Sequence, residues 1–307
     1  MPTFPTLPNK LQRALHDFRI RSILQTPPVT LDSGSPVHLL TQLQHKDVRM
    51  FLVAIKSFMS HVPASRVTVL DDGSLTPSDE CLLRDHVKGL KFCSITDYRS
   101  PRCPRGGTWE RILAIADRSS DSYVIQLDSD TVTLSDLPEA RSAIQSNTSF
   151  AIGTWDGQTI EPMLDRARDA ARFNSSNVTH VQVLAEQAFA RLDGAPAMQY
   201  VRGCSGFSGF GLGSASRDFI EGFSSEMGAI LGPKWSEWGS EQVMSNVVVA
   251  NSPGATVLPH PKYSDCEHTT TETAFIHFIG SCRFSSNLYA RKSRRAIRHL
   301  QQNAPST

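Results

Sequence analysis

The sequence predicts an α/β domain built on a parallel sheet with helices on both faces. Three observations lead there. Apolar segments of strand length alternate with segments whose apolar residues recur at helical spacing, from V-H-L-L-T (37–41) to Y-V-I-Q-L (123–127). The strand-like segments are apolar almost throughout, as strands covered on both faces are. The composition, 39% hydrophobic and 20% charged over 307 residues, is that of a globular chain with room for one large domain or two small ones; one continuous domain fits the pattern better.

Taken in order, residues 1–8, M-P-T-F-P-T-L-P, carry three prolines and no apolar run, so they read as unstructured and not as a secretory signal. Leu11, Leu15, Phe18 and Ile23 are spaced for an amphipathic helix over 9–25. After a Pro/Ser/Gly break come a strand (37–41), a helix (50–59), the strand R-V-T-V-L-D-D-G-S (66–74) ending in a turn, a short helix (77–88) and a strand (91–95). The loop R-S-P-R-C-P-R-G-G (99–107) opens a helix over 108–117, in which Trp109, Ile112, Leu113 and Ala116 form one buried stripe. Strands follow at 124–127 and 150–155, helix over much of 161–192, a glycine-rich stretch at 201–214, a helix at 240–251 and a strand at 274–280. The expected organisation is an extension with an amphipathic helix (1–36), a main α/β domain (37–290) and a basic tail (291–307).

The formal net charge of +1 excludes a global field for nucleic acid. Charge is uneven, however: R-K-S-R-R-A-I-R (291–298) holds five of 31 basic residues, and the remainder balances 26 basic against 30 acidic. That segment reads as a solvated helix end or as a contact to anionic lipid, at about 1 kcal/mol per basic residue near such a surface. Six scattered cysteines without a C-x-x-C pair suggest reduced thiols, hence a cytoplasmic protein, peripheral to a membrane if the tail binds lipid. N-S-S (174–176) and N-V-T (177–179) match the glycosylation pattern but carry little weight without secretion.

The chemistry concentrates where V-I-Q-L runs into Asp128, Ser129 and Asp130. Carboxylates at i and i+2 on a strand end can face one point, where they repel unless one is protonated or a cation lies between them. Mg²⁺ or Mn²⁺ suits such a site, since both take carboxylate, water and phosphate oxygens. The bland alternative is an acidic turn. In a doubly wound sheet ligands collect at the carboxyl ends of strands, where Asp71 and Asp72 also fall, although D-D-G-S is equally a turn sequence. His277, between Ile276 and Phe278, is either a ligand or a hydrogen-bonded core histidine. Trp235 and Trp238 are either acceptor-stacking or packing residues.

The longer context, T-W-E-R-I-L (108–113) and Y-V-I-Q-L-D-S-D-T-V-T-L-S-D-L (123–137), followed by S-E-Q (240–242) and H-F-I-G-S-C-R-F (277–284), resembles the glycogenin-like and lipopolysaccharide galactosyltransferase-like (family 8) enzymes. The resemblance spans about residues 37–284 in the family's motif order. It implies the GT-A fold, a mixed, mostly parallel sheet flanked by helices, and metal-dependent transfer from a nucleotide-diphosphate sugar, UDP-linked by analogy, to a glycan, lipid-linked or protein acceptor, with retention favoured. It also implies roles by position. Asp128, Asp130 and His277 would hold the cation; Arg111, Ser129, Gly280 and Arg283 would meet the donor; Thr41 with Asp71 or Asp72 would line the nucleoside pocket; Glu241 and Gln242 would act beside the sugar. Cys204 stands where the family has an asparagine, Glu241 where it has an aspartate, and Phe284-Ser285 where it has P-W. Two rivals remain: a haloacid dehalogenase-like phosphatase, whose D-x-D-x-[TV] signature D-S-D-T-V also fits with Asp128 as nucleophile, and a nucleotide-sugar-binding protein without turnover.

Overall fold

The computed structural model describes residues 9–172 and 180–303; both glycosylation-like patterns and residues 1–8 lie outside that range. Its elements in chain order are α1 (Asn9–Arg19), β1 (Val37–Leu43), α2 (Val48–Met59), β2 (Arg66–Asp71), α3 (Pro77–His86), β3 (Lys91–Ser94), α4 (Trp109–Ser119), β4 (Tyr123–Leu127), β5 (Thr131–Thr133), α5 (Pro138–Gln145), β6 (Phe150–Ile152), β7 (Glu161–Pro162), α6 (Met163–Ala171), α7 (Val181–Ala188), β8 (Gln199–Tyr200), β9 (Cys204–Phe210), α8 (Arg217–Leu231), α9 (Ser240–Ala250), β10 (Thr256–Leu258), β11 (Tyr263–Asp265), β12 (Phe275–His277) and α10 (Leu288–Gln302).

The main sheet has the order β10-β6-β9-β4-β1-β2-β3. Strands β4, β1, β2 and β3 run parallel; the first three are largely buried, in keeping with their apolar sequences, and β3 is the half-exposed edge. The glycine-rich stretch supplies the strand that makes the sheet mixed: β9 is antiparallel to both β4 and β6. Alternate side chains of each strand serve opposite faces. Tyr123, Ile125 and Leu127 of β4 join the layer of α2, whereas Val124 joins that of α4 and α9. Each such buried aliphatic or aromatic side chain contributes about 1.5–3 kcal/mol. The expected stripe of α4 is buried in full.

A small second sheet, β11-β12-β5, leaves the main one directly after Asp130. The parallel pairing of β11 and β12 also overturns the reading of the cysteines as thiols throughout. Cys266 follows β11 and Cys282 follows β12, so the strand pair brings the two loops together; the sulfurs are bonded, with Cα atoms 6.0 Å apart. The bond tethers the loop that carries Gly280 and Arg283.

A second difference concerns α1. The helix forms, but its apolar stripe faces out: Leu11, Leu15 and Phe18 are 51%, 37% and 59% exposed. The buried side is polar. His16 packs against the rings of Phe284 and Tyr289, and Arg13 pairs with Asp47. Of the four residues used to predict the helix, only Ile23 is buried, in the turn that follows. The described part of the basic tail is helical: α10 buries Tyr289, Ala296 and Ile297 and exposes its arginines. The helices α5 and α8 are additions to the expected elements; each buries apolar residues at helical spacing, Ala140, Ala143 and Ile144 in the first and Ile220, Phe223 and Met227 in the second.

Candidate active site

The site is assembled by the change of sheet at the end of β4. The strand is buried throughout, and its Gln126 amide donates to the Ser205 carbonyl of β9. The chain turns at Asp128–Asp130, with Asp128 N–H donating to Gly206 O (2.9 Å) and Thr131 Oγ1 to Asp128 O (2.8 Å). β5 then pairs antiparallel with β12 in a register that sets His277 opposite Thr131, and Phe278 N–H donates to Asp130 O at 2.8 Å. Two sheets thereby deliver three donors to one point. Ligand atoms of Asp128, Asp130 and His277 all lie within 4.8 Å of one another. His277 Nε2 is 3.3 Å from Asp130 Oδ1 and 3.9 Å from Asp128 Oδ2.

The other imidazole nitrogen, Nδ1, lies 2.8 Å from Cys204 Sγ. Directly beneath the ring is Gly206: a Cβ there would sit 2.2 Å from His277 Nδ1. Glycine in a strand interior often marks such a close approach. Gly206→Ala is accordingly expected to push the imidazole off the acidic pair and to weaken metal affinity by ~10–100-fold, the range for lost supporting contacts at a metal ligand. Titration of the purified variant with Mn²⁺ by calorimetry measures this; affinity equal to the parent protein would contradict it.

Cations balance the acids. Arg111, buried on α4, reaches Asp128 and lies 3.2 Å from Glu241 Oε2. Thr108 Oγ1, at the start of α4, donates to the same Glu241 oxygen at 2.7 Å. Arg283 pairs with Asp130 and is steered by its Nε–H donating to Phe278 O at 2.9 Å. The titration behaviour follows from burial and these partners. Burial alone would lower the Arg111 pKa, but Asp128 and Glu241 hold it above its usual value. Burial would raise Asp130, yet His277 and then Arg283 hold it low. Burial would lower His277, but Cys204 and Asp130 keep it well above the ordinary range. Glu241 is pushed up by burial in spite of Arg111.

The donor set fits a hard divalent cation. With ~2.1 Å bonds, adjacent ligand atoms on Mg²⁺ stand about 3.0 Å apart and opposite ones about 4.2 Å; His277 Nε2 and Asp130 Oδ1, at 3.3 Å, are close to the adjacent spacing, and the Asp128 carboxylate would move in to complete the set. Two carboxylates and one imidazole also suit Mn²⁺. Asp128, Asp130 and His277 would hold the ion, which would bring positive charge to a diphosphate.

Other expected residues fall on the same edge to different degrees. Thr41 lies one residue beyond the Leu40–Gln126 pairing of β1 with β4, buried with its hydroxyl unpartnered. Asp71 and Asp72 end the neighbouring strand, but each spends one carboxylate oxygen on the turn. Asp71 Oδ1 accepts from Gly73 N–H (2.8 Å) and Asp72 Oδ1 from Ser74 N–H (3.0 Å). The Ser129 carbonyl faces Tyr289 OH at 3.5 Å. A Cβ on Gly280 would meet nothing within 4 Å, so open space lies before it. Gln242 Oε1 accepts from Ser205 Oγ at 3.3 Å. Trp235 is buried, with its indole N–H on Ser224; Trp238 is 73% exposed beside His180.

Sequence reasoning did not assign roles to Thr108, Gly206 or Ser240. Ser240 Oγ accepts from Trp109 Nε1–H at 2.8 Å and so locks α9 to α4. Only Gly206 had a readable signal, a glycine within an apolar strand pattern.

The chain is similar to several solved structures. The chain superposes on the apo form of the bifunctional glycosyltransferase WbbM with a TM-score of 0.50 and 13% identity, over 86% of this chain and 50% of that one. It therefore spans half the length of that protein. The galactosyltransferase LgtC in complex with donor and acceptor sugar analogues gives a TM-score of 0.44 at 12% identity, over 88% of this chain and 98% of that one. Core-mannan synthase A (CmsA/Ktr4) from Aspergillus fumigatus, in its Mn/GDP form, gives 0.41 at 12% identity, over 90% and 88%. The sequence matches no protein-family model and no curated protein. With the sheet order above, the likeness to WbbM gives the chain the GT-A glycosyltransferase fold.

Proposed function

We propose that the protein transfers a sugar from a nucleotide-diphosphate sugar, UDP-linked, to a glycan, lipid-linked or protein acceptor, with Mn²⁺ or Mg²⁺ held by Asp128, Asp130 and His277. One observation carries this reading: two different sheets converge their ends on a single three-ligand cluster at the carboxyl edge. When bound, the cation offsets charge that develops on the departing diphosphate. Arg283 and Arg111 add fixed positive charge beside it, and the open backbone at Gly280 leaves room for phosphate. Thr41 and the β2 end, with Asp71 and Asp72, form the wall for the nucleoside, and Ser129 lines the approach.

Glu241 is enclosed by Arg111 and Thr108 and buried, a poor position for a base that must meet an acceptor hydroxyl. This supports retention, with Glu241 and Gln242 ordering the sugar rather than deprotonating the acceptor. The phosphatase reading loses its scaffold, because Asp128 ends the fourth main-sheet strand of a GT-A fold.

The direct test is incubation with a panel of nucleotide sugars, with and without Mn²⁺, following nucleoside diphosphate. Metal-dependent release supports the proposal. Inorganic phosphate without nucleoside diphosphate would favour the phosphatase, and metal-dependent binding without release the inactive binder. Trp238, exposed three residues before Glu241, suits stacking on an acceptor sugar. Trp238→Ala is expected to raise the acceptor KM by ~tenfold, equivalent to about 1.4 kcal/mol. Hydrolysis of the donor in the absence of acceptor should stay unchanged. An unaltered KM would remove Trp238 from the acceptor side.

A further inference from the structure

The inverted face of α1 and the arginines of α10 meet on one surface. Leu11, Leu15 and Phe18 stand at i, i+4 and i+7, a continuous apolar strip facing solvent. Arg21 lies over the Phe18 ring, 3.9 Å from its centroid. The next residue, Ser22, lines a cleft of about 220 Å³ whose other wall is α10, with Arg291, Arg294 and Arg298 at one helical spacing. These three arginines and Arg295 are exposed, and none of them joins an ion pair among the described residues. They crowd Lys292, whose ammonium is held below its usual value by burial and then by Arg295 and Arg291. A large apolar strip beside unpaired arginines is an arrangement that water alone does not reward.

We infer that this surface, the α1 strip with the α10 arginine cleft, docks the protein on an anionic phospholipid bilayer. Phosphate headgroups enter the cleft, and Leu11, Leu15 and Phe18 insert among the acyl chains. Amphipathic helices bind membranes in this way, by apolar insertion combined with attraction of Lys and Arg to anionic lipid. Charge decides between occupants. A second copy docking through the same face would set arginine against arginine, whereas an anionic surface complements them. The side of the molecule is also apt. The α10 residue Tyr289 stacks on His16 from the inner side of α1 and reaches the Ser129 carbonyl of the acidic turn, so the helices that carry the docking face pack against the candidate site. No helix among the described residues is long and apolar enough to cross a membrane, so attachment here is interfacial. The inference does not depend on sugar transfer, and its test reads binding alone.

Flotation of the full chain with vesicles provides that test. Vesicles of phosphatidylcholine carrying about 30 mol% phosphatidylglycerol should carry the protein up, and pure phosphatidylcholine should not. Raising salt from about 0.1 M to about 0.5 M should release most of it. The double variants Leu15→Ser with Phe18→Ser, and Arg294→Ser with Arg298→Ser, replace exposed side chains and should fold with unchanged Tm. Each should lower vesicle affinity by ~tenfold or more, while donor turnover in solution stays as in the parent. Equal flotation with neutral vesicles, no flotation, or variants that float like the parent would each overturn the inference. So would loss in the arginine variant alone, which would leave headgroup attraction without insertion of the α1 strip. A dimer in the absence of lipid that the Leu15/Phe18 variant dissolves would assign the strip to a second copy.

Discussion

Asp130→Asn should reduce metal-dependent nucleoside diphosphate release by ~10²–10³-fold or more, while the chain remains folded. The magnitude follows from what is removed. One charged ligand goes, and with it electrostatic stabilisation of the leaving diphosphate; losing a single such group commonly costs that factor. The fold is expected to survive because the amide keeps the shape of the carboxylate and Arg283, freed from its ion pair, is not fully buried. The binding signature is a separate readout. In the parent protein, UDP with Mn²⁺ at a hundredfold excess over its dissociation constant should add about 2.7 kcal/mol of apparent stability. The variant should lose the Mn²⁺-dependent part. A full thermal shift in Asp130→Asn would show that the cation lies elsewhere.

Arg111→Ala should be the most destabilising substitution at the site, by about 3–5 kcal/mol in urea unfolding. The guanidinium is shared by two carboxylates, Asp128 and Glu241, and Glu241 is buried with Thr108 as its other hydrogen-bond donor. Removing the cation leaves the buried Glu241 without its ion pair, at more cost than the pair itself contributes, and leaves Asp128, which water reaches in part, beside two other acids. Arg111→Lys should recover part of the loss, since it restores the charge but not the fork that reaches two acids at once. Mn²⁺ should raise the Tm of Arg111→Ala by more than it raises that of the parent, because a cation beside Asp128 takes over part of the missing charge. A variant as stable as the parent, or no added response to Mn²⁺, would contradict the electrostatic account.

The site was legible because its parts sit in continuous motifs. V-I-Q-L-D-S-D shows a buried strand ending in two acids, and H-F-I-G-S-C-R carries a histidine on a strand with a basic residue after a glycine. Sequence spacing does not state that β12 pairs with β5 in the register that sets His277 opposite Thr131; the family resemblance implies only that His277 joins the two aspartates. The fold class was readable from apolar strands. The reversed β9 was not, because interleaved glycine and serine hide its pattern and its direction is set by neighbours far along the chain.

The failures have physical causes as well. Periodicity reports that a helix has an apolar face, not where that face points. Leu11, Leu15 and Phe18 mark α1, which ends at Arg19 and not at 25, but their spacing does not say which side is buried: His16 and Arg13 take aromatic and acidic partners inside. The bond between Cys266 and Cys282 depends on two loops that only the β11–β12 pairing brings together, which the scattered spacing of six cysteines gave no means of anticipating. The sequence around Asp71 and Asp72 suits both a donor contact and a turn; the turn accounts for one oxygen of each.

The most direct measurement of the central claim is the anomalous scattering of manganese in crystals grown with Mn²⁺ and UDP. The account predicts one strong peak within about 2.2 Å of carboxylate oxygens from Asp128 and Asp130 and of His277 Nε2, with diphosphate oxygens completing its coordination. A peak bound elsewhere, or diphosphate density lying away from these three residues, would contradict it.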